Sequence, residues 1–281
     1  SFSMAEDRVI SSNGRLRNGC SLYPVTGQAV MRAEPDAPAP AVYLFWGPHS
    51  AGHQNPAALH LDIHSGRRRL TDAPHTAGYG DPMHLTWQRT TVAHNTVTVD
   101  RRPMFPYETG EEDSIWWSDE QKGRKSDGCL EAFLPEDPTK ILRASNERVY
   151  PGVRLDRTVA IERDYVLDVY RISAEETRTF DWTMHCVGAP PEFPPAEPVD
   201  MGDERGYRHL DDARRWTGNG EPPRLTWGEG DETVHLLTAP PEDAELIVAA
   251  DPAAPDKKVL GQLEPVGPRS SVMMRTRGTE C

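Results

Sequence analysis

The feature that most limits what this chain can fold into is the length of its apolar stretches. Nearly all are short, alternate apolar with polar residues, and end at glycine, proline or aspartate, which is the pattern of half-buried strands rather than of amphipathic helices. Strands are expected at 42–46, 59–63, 97–99, 153–161, 165–172 and 180–185. Glu162, Arg163 and Asp164 form a tight polar turn between two of them, so 153–161 and 165–172 should pair as an antiparallel hairpin. The proline-rich, acidic segments 188–206 and 239–245 are expected to be surface loops. Only one short helix is expected, around 211–216. With no internal repeat and no clean linker, residues 1–281 are read as one all-β domain, a large antiparallel two-sheet β-sandwich of the supersandwich kind. Ser1, Phe2 and Ser3, ahead of Met4, are expected to be a cloning remnant.

Charge and cysteine usage remove several function classes. A formal charge of −13 argues against partners such as nucleic acid or an anionic membrane, because a phosphate-tracking surface needs a basic excess. It leaves room for an anionic sugar at a local cluster such as Arg67, Arg68 and Arg69, although a solvated turn explains that run as simply. Cys20, Cys129, Cys186 and Cys281 lie far apart with no CxxC pair, so no zinc ribbon or redox motif is encoded, and disulfides are permitted but not required. No apolar run approaches the roughly 18 residues needed to span a bilayer. The opening SFSMAEDRV lacks the apolar region of a signal peptide, so the compartment is not readable from the residues.

The candidate chemistry is concentrated in one place. Seven of the ten histidines, His49, His53, His60, His64, His75, His84 and His94, fall within 45–100. Packing does not explain such clustering, and histidine is the side chain best suited to act as acid, base or metal ligand near neutral pH.

The block RTTVAHNTVTVD (89–100), preceded by a glycine- and histidine-rich loop, a strand, an aspartate and a Tyr/Gly/Pro loop, resembles the C-terminal β-domain of heparinase II/III-like lyases. YVLDVYRI (165–172) and FDWTMHCVG (180–188) resemble later strands of that domain, so the likeness covers at least 23–188. It implies β-elimination on uronate-containing polysaccharide: a base removes the C5 proton, the carboxylate is neutralised, and an acid assists the leaving oxygen. It also implies a periplasmic or extracellular setting, an anionic polysaccharide or oligosaccharide as partner, and an α/α-toroid, as domain or subunit, to complete the site.

Carried onto this sequence, the resemblance makes His53 the residue that approaches the sugar, with His49 as a second candidate because a glycine-flanked loop allows close approach. Tyr79, in AGYGDP, occupies the loop that presents a tyrosine to the sugar, but an aromatic beside two glycines also packs well over a turn. Arg89 is a candidate for the uronate carboxylate through its fork geometry, and Asn95 for substrate contact. The resemblance further implies a structural zinc held by a histidine, Asp72 and His94; here Asn55 stands at the first of those positions, and an amide oxygen is a poor zinc ligand. Either Asn55 or His75 completes the site, or Asp72 only orients His94 through a hydrogen bond.

Other candidates have plainer readings. His60, Asp62 and His64 alternate with Leu59, Leu61 and Ile63 and are expected on an exposed polar face, with His60 and His64 about 13 Å apart, too far to share a metal. Trp116 and Trp117 would face opposite sides of a strand, leaving at most one to stack on a sugar. His185 and His235 are expected to be structural. Two other functions stay open beside the lyase: a non-catalytic carbohydrate-binding module, and a stand-alone enzyme acting on a small molecule.

Overall fold

The computed structural model describes residues 19–35, 39–47, 55–66, 68–74, 80–105, 125–136, 138–228, 233–253, 257–259, 262–264 and 267–280. Two antiparallel sheets dominate them. The first is a meander of β1 (Ser21–Tyr23), β2 (Gln28–Arg32), β3 (Pro40–Phe45), β4 (His60–Ser65) and β5 (Arg68–Arg69), each paired with the next.

The second sheet takes β6 (Val97–Val99), β7 (Cys129–Leu134), β8 (Lys140–Asn146), β9 (Val153–Ile161), β10 (Val166–Val187), β11 (Ala196–Pro198) and β12 (Asp211–Trp216). A small hairpin of β13 (Leu225–Trp227) and β14 (Val234–Leu236) intervenes before β15 (Glu245–Ala250). A second hairpin, β16 (Lys257–Val259) with β17 (Gln262–Glu264), precedes β18 (Arg269–Glu280). The order across this sheet is β11-β12-β15-β18-β10-β9-β8-β7, with β6 also on β10.

The two sheets share one core because their strands alternate. Ala29, Met31, Val42, Leu44 and Leu61 of the first sheet meet Leu142, Ala144, Leu155, Val159 and Ile161 of the second, and all are buried. Burying a side chain of this size stabilises the fold by roughly 1.5–3 kcal/mol relative to exposure. The sheets are also pinned by a charge: Lys140 is 1% exposed and its Nζ donates to the carbonyls of Arg32 at 2.7 Å and Ala33 at 3.0 Å.

The expected strands 165–172 and 180–185 turn out to be two halves of the 22-residue β10. Its first half pairs with β9, from Val166 to Ala174; its second half lies between β18 and β6. The hairpin turn at Glu162–Asp164 is present, closed by the Glu162 N–H donating to the Tyr165 carbonyl at 3.0 Å.

The expected helix at 211–216 is instead strand β12. Its Asp-Asp opening and Arg-Arg close suit a helix dipole, but pairing with β11 and β15 decides the matter, and a bulge at Asp212, whose φ is 48°, adjusts the register. Ala213 is thereby turned into a second apolar cluster on the far side of the sheet. There Ile247, Ala249 and Met273 point away from the main core and are covered by Trp87, Val92, Ala93, Met201, Tyr207 and Leu210. This part of the sheet is buried on both faces, and the 84–93 segment is the cover.

Among the described residues Cys20, Cys129 and Cys186 are free thiols, and no helix is long and apolar enough to cross a membrane. Leu155, with no exposed surface, sits where the sheets meet. Leu155→Ala is expected to lower unfolding stability by about 2–5 kcal/mol, read as a shift of the urea midpoint at constant slope.

Candidate functional site

Asp81 starts the segment that carries the AHN block. Its Oδ1 accepts the Met83 N–H at 2.9 Å and its Oδ2 accepts Gln88 Nε2 at 2.6 Å, holding both ends of a wide π-helical turn, His84–Gln88. A single 3-10 turn, Thr91–Ala93, follows, and the chain leaves it in extended conformation at His94. His94 is 2% exposed, and its Nε2 lies 3.1 Å from the Gln88 carbonyl oxygen. A carbonyl only accepts, so Nε2 carries the proton.

Asn95 is where the elements converge. Its N–H donates to His60 Nδ1 at 3.1 Å, and its side-chain Nδ2 donates to the Leu61 carbonyl at 2.8 Å and to Asp62 Oδ1 at 3.3 Å. Its Oδ1 accepts the His185 N–H at 2.7 Å, which ties it to β10. Its own carbonyl accepts from the Leu61 N–H at 3.2 Å and from Arg157 Nη1 at 2.5 Å.

Arg157 has no exposed surface and uses its whole fork. Nη1 also donates to the Leu59 carbonyl at 2.6 Å, while Nε and Nη2 grip Asp168 at 2.9 and 2.7 Å. The ring of Tyr170 lies 5.1 Å from the guanidinium carbon. This arginine fixes Leu59, which holds an unusual positive φ of 58°, and thus the turn into β4.

The other side of the block is clamped by His185, 1% exposed. Nε2 meets the Val92 carbonyl at 2.9 Å and Nδ1 meets Asp251 Oδ2 at 2.8 Å, while Ser271 Oγ donates to Asp251 and lies 3.1 Å from Nδ1. Serine and aspartate are both on the Nδ1 side and all three groups are buried, so this is not a hydrolytic triad, in which they take opposite nitrogens. Burial by itself would raise the Asp251 carboxyl, but the facing His185, Ser271 and Arg269 hold it below the usual carboxylate range. Beside it, burial first and Asp251 second push the Cys186 thiol up to about 12, which leaves it unreactive. Burial lowers His84 and His64 below the usual histidine range, offset only partly for His64 by Asp62.

His49, His53, His75, Tyr79, Trp116 and Trp117 lie outside the described residues. Of the other candidates, the structure brings His94 and Asn95 together with Gln88, the residue before Arg89. Arg89 is 1% exposed and Asn95 has no exposed surface, so in this state neither guanidinium nor amide faces solvent. The side-chain amide of Asn95 is taken up by Leu61, Asp62 and His185, which makes it a structural tie of the block.

The zinc expected at Asp72, His94 and Asn55 meets an unfavourable donor set. Asp72 is 7% exposed and pairs with Arg69, Nη1 to Oδ1 at 2.6 Å, placing a fixed cation against the one carboxylate. His94 donates Nε2–H to a carbonyl, which is compatible with ligation through its other nitrogen, so the poor donors are Asn55, which offers an amide, and the paired Asp72. Among the described residues no group of three or more His, Cys, Asp or Glu side chains is arranged to hold a metal ion. The residues described do not fit a zinc ion.

Two expectations for histidines also change. His60 is 6% exposed rather than on an open face, because the 94–95 segment lies over it. His235 is exposed, 3.0 Å from Thr226 Oγ1, whereas His185 is structural as expected. Arg157 and Asp168 were missed, although a signal existed: Val153, Leu155, Arg157, Val159 and Ile161 share one face of β9, so alternation alone puts the arginine in the core.

The fold recurs in solved structures. Heparan sulfate lyase HepC from Pedobacter heparinus superposes with a TM-score of 0.52 at 14% identity, over 90% of this chain and 33% of that one. The crystal structure of heparinase III gives 0.55 at 13% identity, over 93% of this chain and 35% of that one. The family model described as heparinase II/III-like, C-terminal, matches residues 16–253, and the chain belongs to this family. An alginate lyase of Stenotrophomonas maltophilia (strain K279a) is 30% identical over 156 residues, 50% of this chain and 19% of that protein. An exo-oligoalginate lyase of Saccharophagus degradans (strain 2-40 / ATCC 43961 / DSM 17024) is 24% identical over 190 residues, 61% and 24%. The chain thus spans about a fifth to a quarter of the curated relatives it matches.

Two outcomes follow from this geometry. Arg157→Met leaves the largely covered Asp168 carboxylate, and the Leu59 and Asn95 carbonyls, without their buried partner and is expected to cost about 3 kcal/mol in chemical denaturation. Asp251 has a depressed folded value, so its stabilisation is present above the unfolded carboxylate value of about 4 and is lost as pH falls through the folded value. Asp251→Asn should flatten the acid limb of a stability-versus-pH curve while lowering its neutral plateau.

Proposed function

We propose that this chain is the β-sandwich part of a polyuronate lyase acting by β-elimination, with alginate-type uronate the first substrate to consider. One observation carries the reading: the match to the heparinase II/III-like C-terminal domain over 16–253, within which the two curated relatives are alginate lyases. His53, and after it His49, is the base that takes the uronate C5 proton, Tyr79 supplies acid assistance, and Arg89 offers a cation to the carboxylate once the segment around it opens to substrate. His94 is held with Nε2 protonated, which leaves Nδ1 as the basic nitrogen of its neutral ring. No step runs through zinc. An α/α-toroid, as domain or subunit, supplies the remaining groups, and the setting is periplasmic or extracellular, where polymeric uronate is met.

A second reading, a carbohydrate-binding module without turnover, is favoured by the Arg69–Asp72 pair and by Asn55, which make a poorer donor set for a metal ion than an unpaired carboxylate and a histidine would. The test is the ultraviolet absorbance of unsaturated uronate when the chain, alone and with a toroid-bearing partner, meets a panel of polyuronates. Product that drops at least a hundredfold with His53→Ala supports the lyase, general-base catalysis being worth about 10²–10⁴. Saturable binding with no absorbance change in either arm supports the module and sinks the lyase.

A further inference from the structure

The polar face of β4 carries His60, Asp62 and His64, and of these His60 is the buried one. Its Nδ1 accepts the Asn95 N–H, so in the neutral ring the proton is on Nε2, which lies 3.0 Å from Asp62 Oδ1. That second contact is a charge contact whose angle falls outside a hydrogen bond. Asp62 Oδ1 in turn accepts from Asn95 Nδ2, which closes a ring of three residues. On its other side the His60 imidazole meets that of His94 edge to face, centroids 5.6 Å apart and planes at 87°.

We propose that His60, oriented by Asp62, is the positioning residue for His94: it fixes the backbone amide that follows His94 and, through the edge-to-face contact, the imidazole itself. A bystander on an exposed strand face would do neither. His60 takes no part in proton transfer, because its Nδ1 lone pair is committed to a main-chain amide and its Nε2 faces a carboxylate. The proposal rests on the lyase reading of the histidine block, and it adds to that reading why His94 is held in a single orientation.

Hydrogen exchange of the Asn95 amide and long-range ¹⁵N spectra of the His94 ring test it, in the wild-type chain and in His60→Asn, His60→Gln and His60→Leu. An Asn oxygen falls near the place of Nδ1, whereas a Gln oxygen falls towards Nε2. His60→Asn is therefore expected to keep the Asn95 protection while, lacking a ring, it loses the edge-to-face contact and shifts or broadens the His94 signals. His60→Gln and His60→Leu should speed Asn95 exchange by about tenfold, the value of one net hydrogen bond, and should shift or broaden the His94 signals. Equal protection in all four chains overturns the proposal, and so does His60→Asn matching His60→Gln in Asn95 exchange, or His94 signals unchanged in every variant. If His60→Leu fails to fold, the Asn and Gln pair decides. None of these readings needs turnover, so a silent absorbance assay would overturn the lyase and leave this inference to be judged on exchange alone.

Discussion

A guanidinium with no contact with solvent holds the site region together. Arg157 links three parts of the chain far apart in sequence: Asp168 across the β9–β10 hairpin, Leu59 at the entry to β4, and Asn95 in the histidine block. Its cost is the removal of a cation and most of a carboxylate from water, and only full use of the fork offsets it. A lysine could not do this, having one nitrogen in place of a planar set. Because β4 belongs to the first sheet and β9 to the second, the same side chain sets how the two sheets approach one another near His94.

From that point the arrangement of the block follows. Asn95 is held from β4 by Leu61 and His60, from β9 by Arg157 and from β10 by His185, so it has no remaining freedom. Val92, three residues earlier, is held through its carbonyl by the His185 ring Nε2, whereas Asn95 takes the His185 main-chain N–H. The segment between is pressed onto the outer face of β15 and β18 by Trp87 and Val92. The segment that leads into His94 is thus built into a second small core rather than left on the surface.

Much of this was legible in the residues. Alternation gave the strands, and AHNTVTVD gave the family. What alternation could not give was which polar faces are covered. His60 looked solvent-facing because nothing in β4 itself reveals that residues 94 and 95 lie across it; that contact spans 35 positions in sequence. The strand at 211–216 read as a helix because its charges suit one and its partners, β11 and β15, are remote. For Asn95 the residues offered an amide beside a histidine, and only the fold shows the three partners that hold its side chain. Arg157 was a signal passed over: a charged residue in register with Leu155 and Val159 has to be paired inside.

The position of β18 has a consequence for how the molecule is made. β11, β12 and β15 reach β10 only through β18, which lies between β15 and β10. The half built from β7 to β10 has local hairpin partners and can assemble as it leaves the ribosome. The other half cannot join it until Arg269–Glu280 is in place, so a strand made after β7 to β15 is the keystone between them. Until then both flanks present open strand edges, and the nascent chain depends on being kept from pairing with its neighbours.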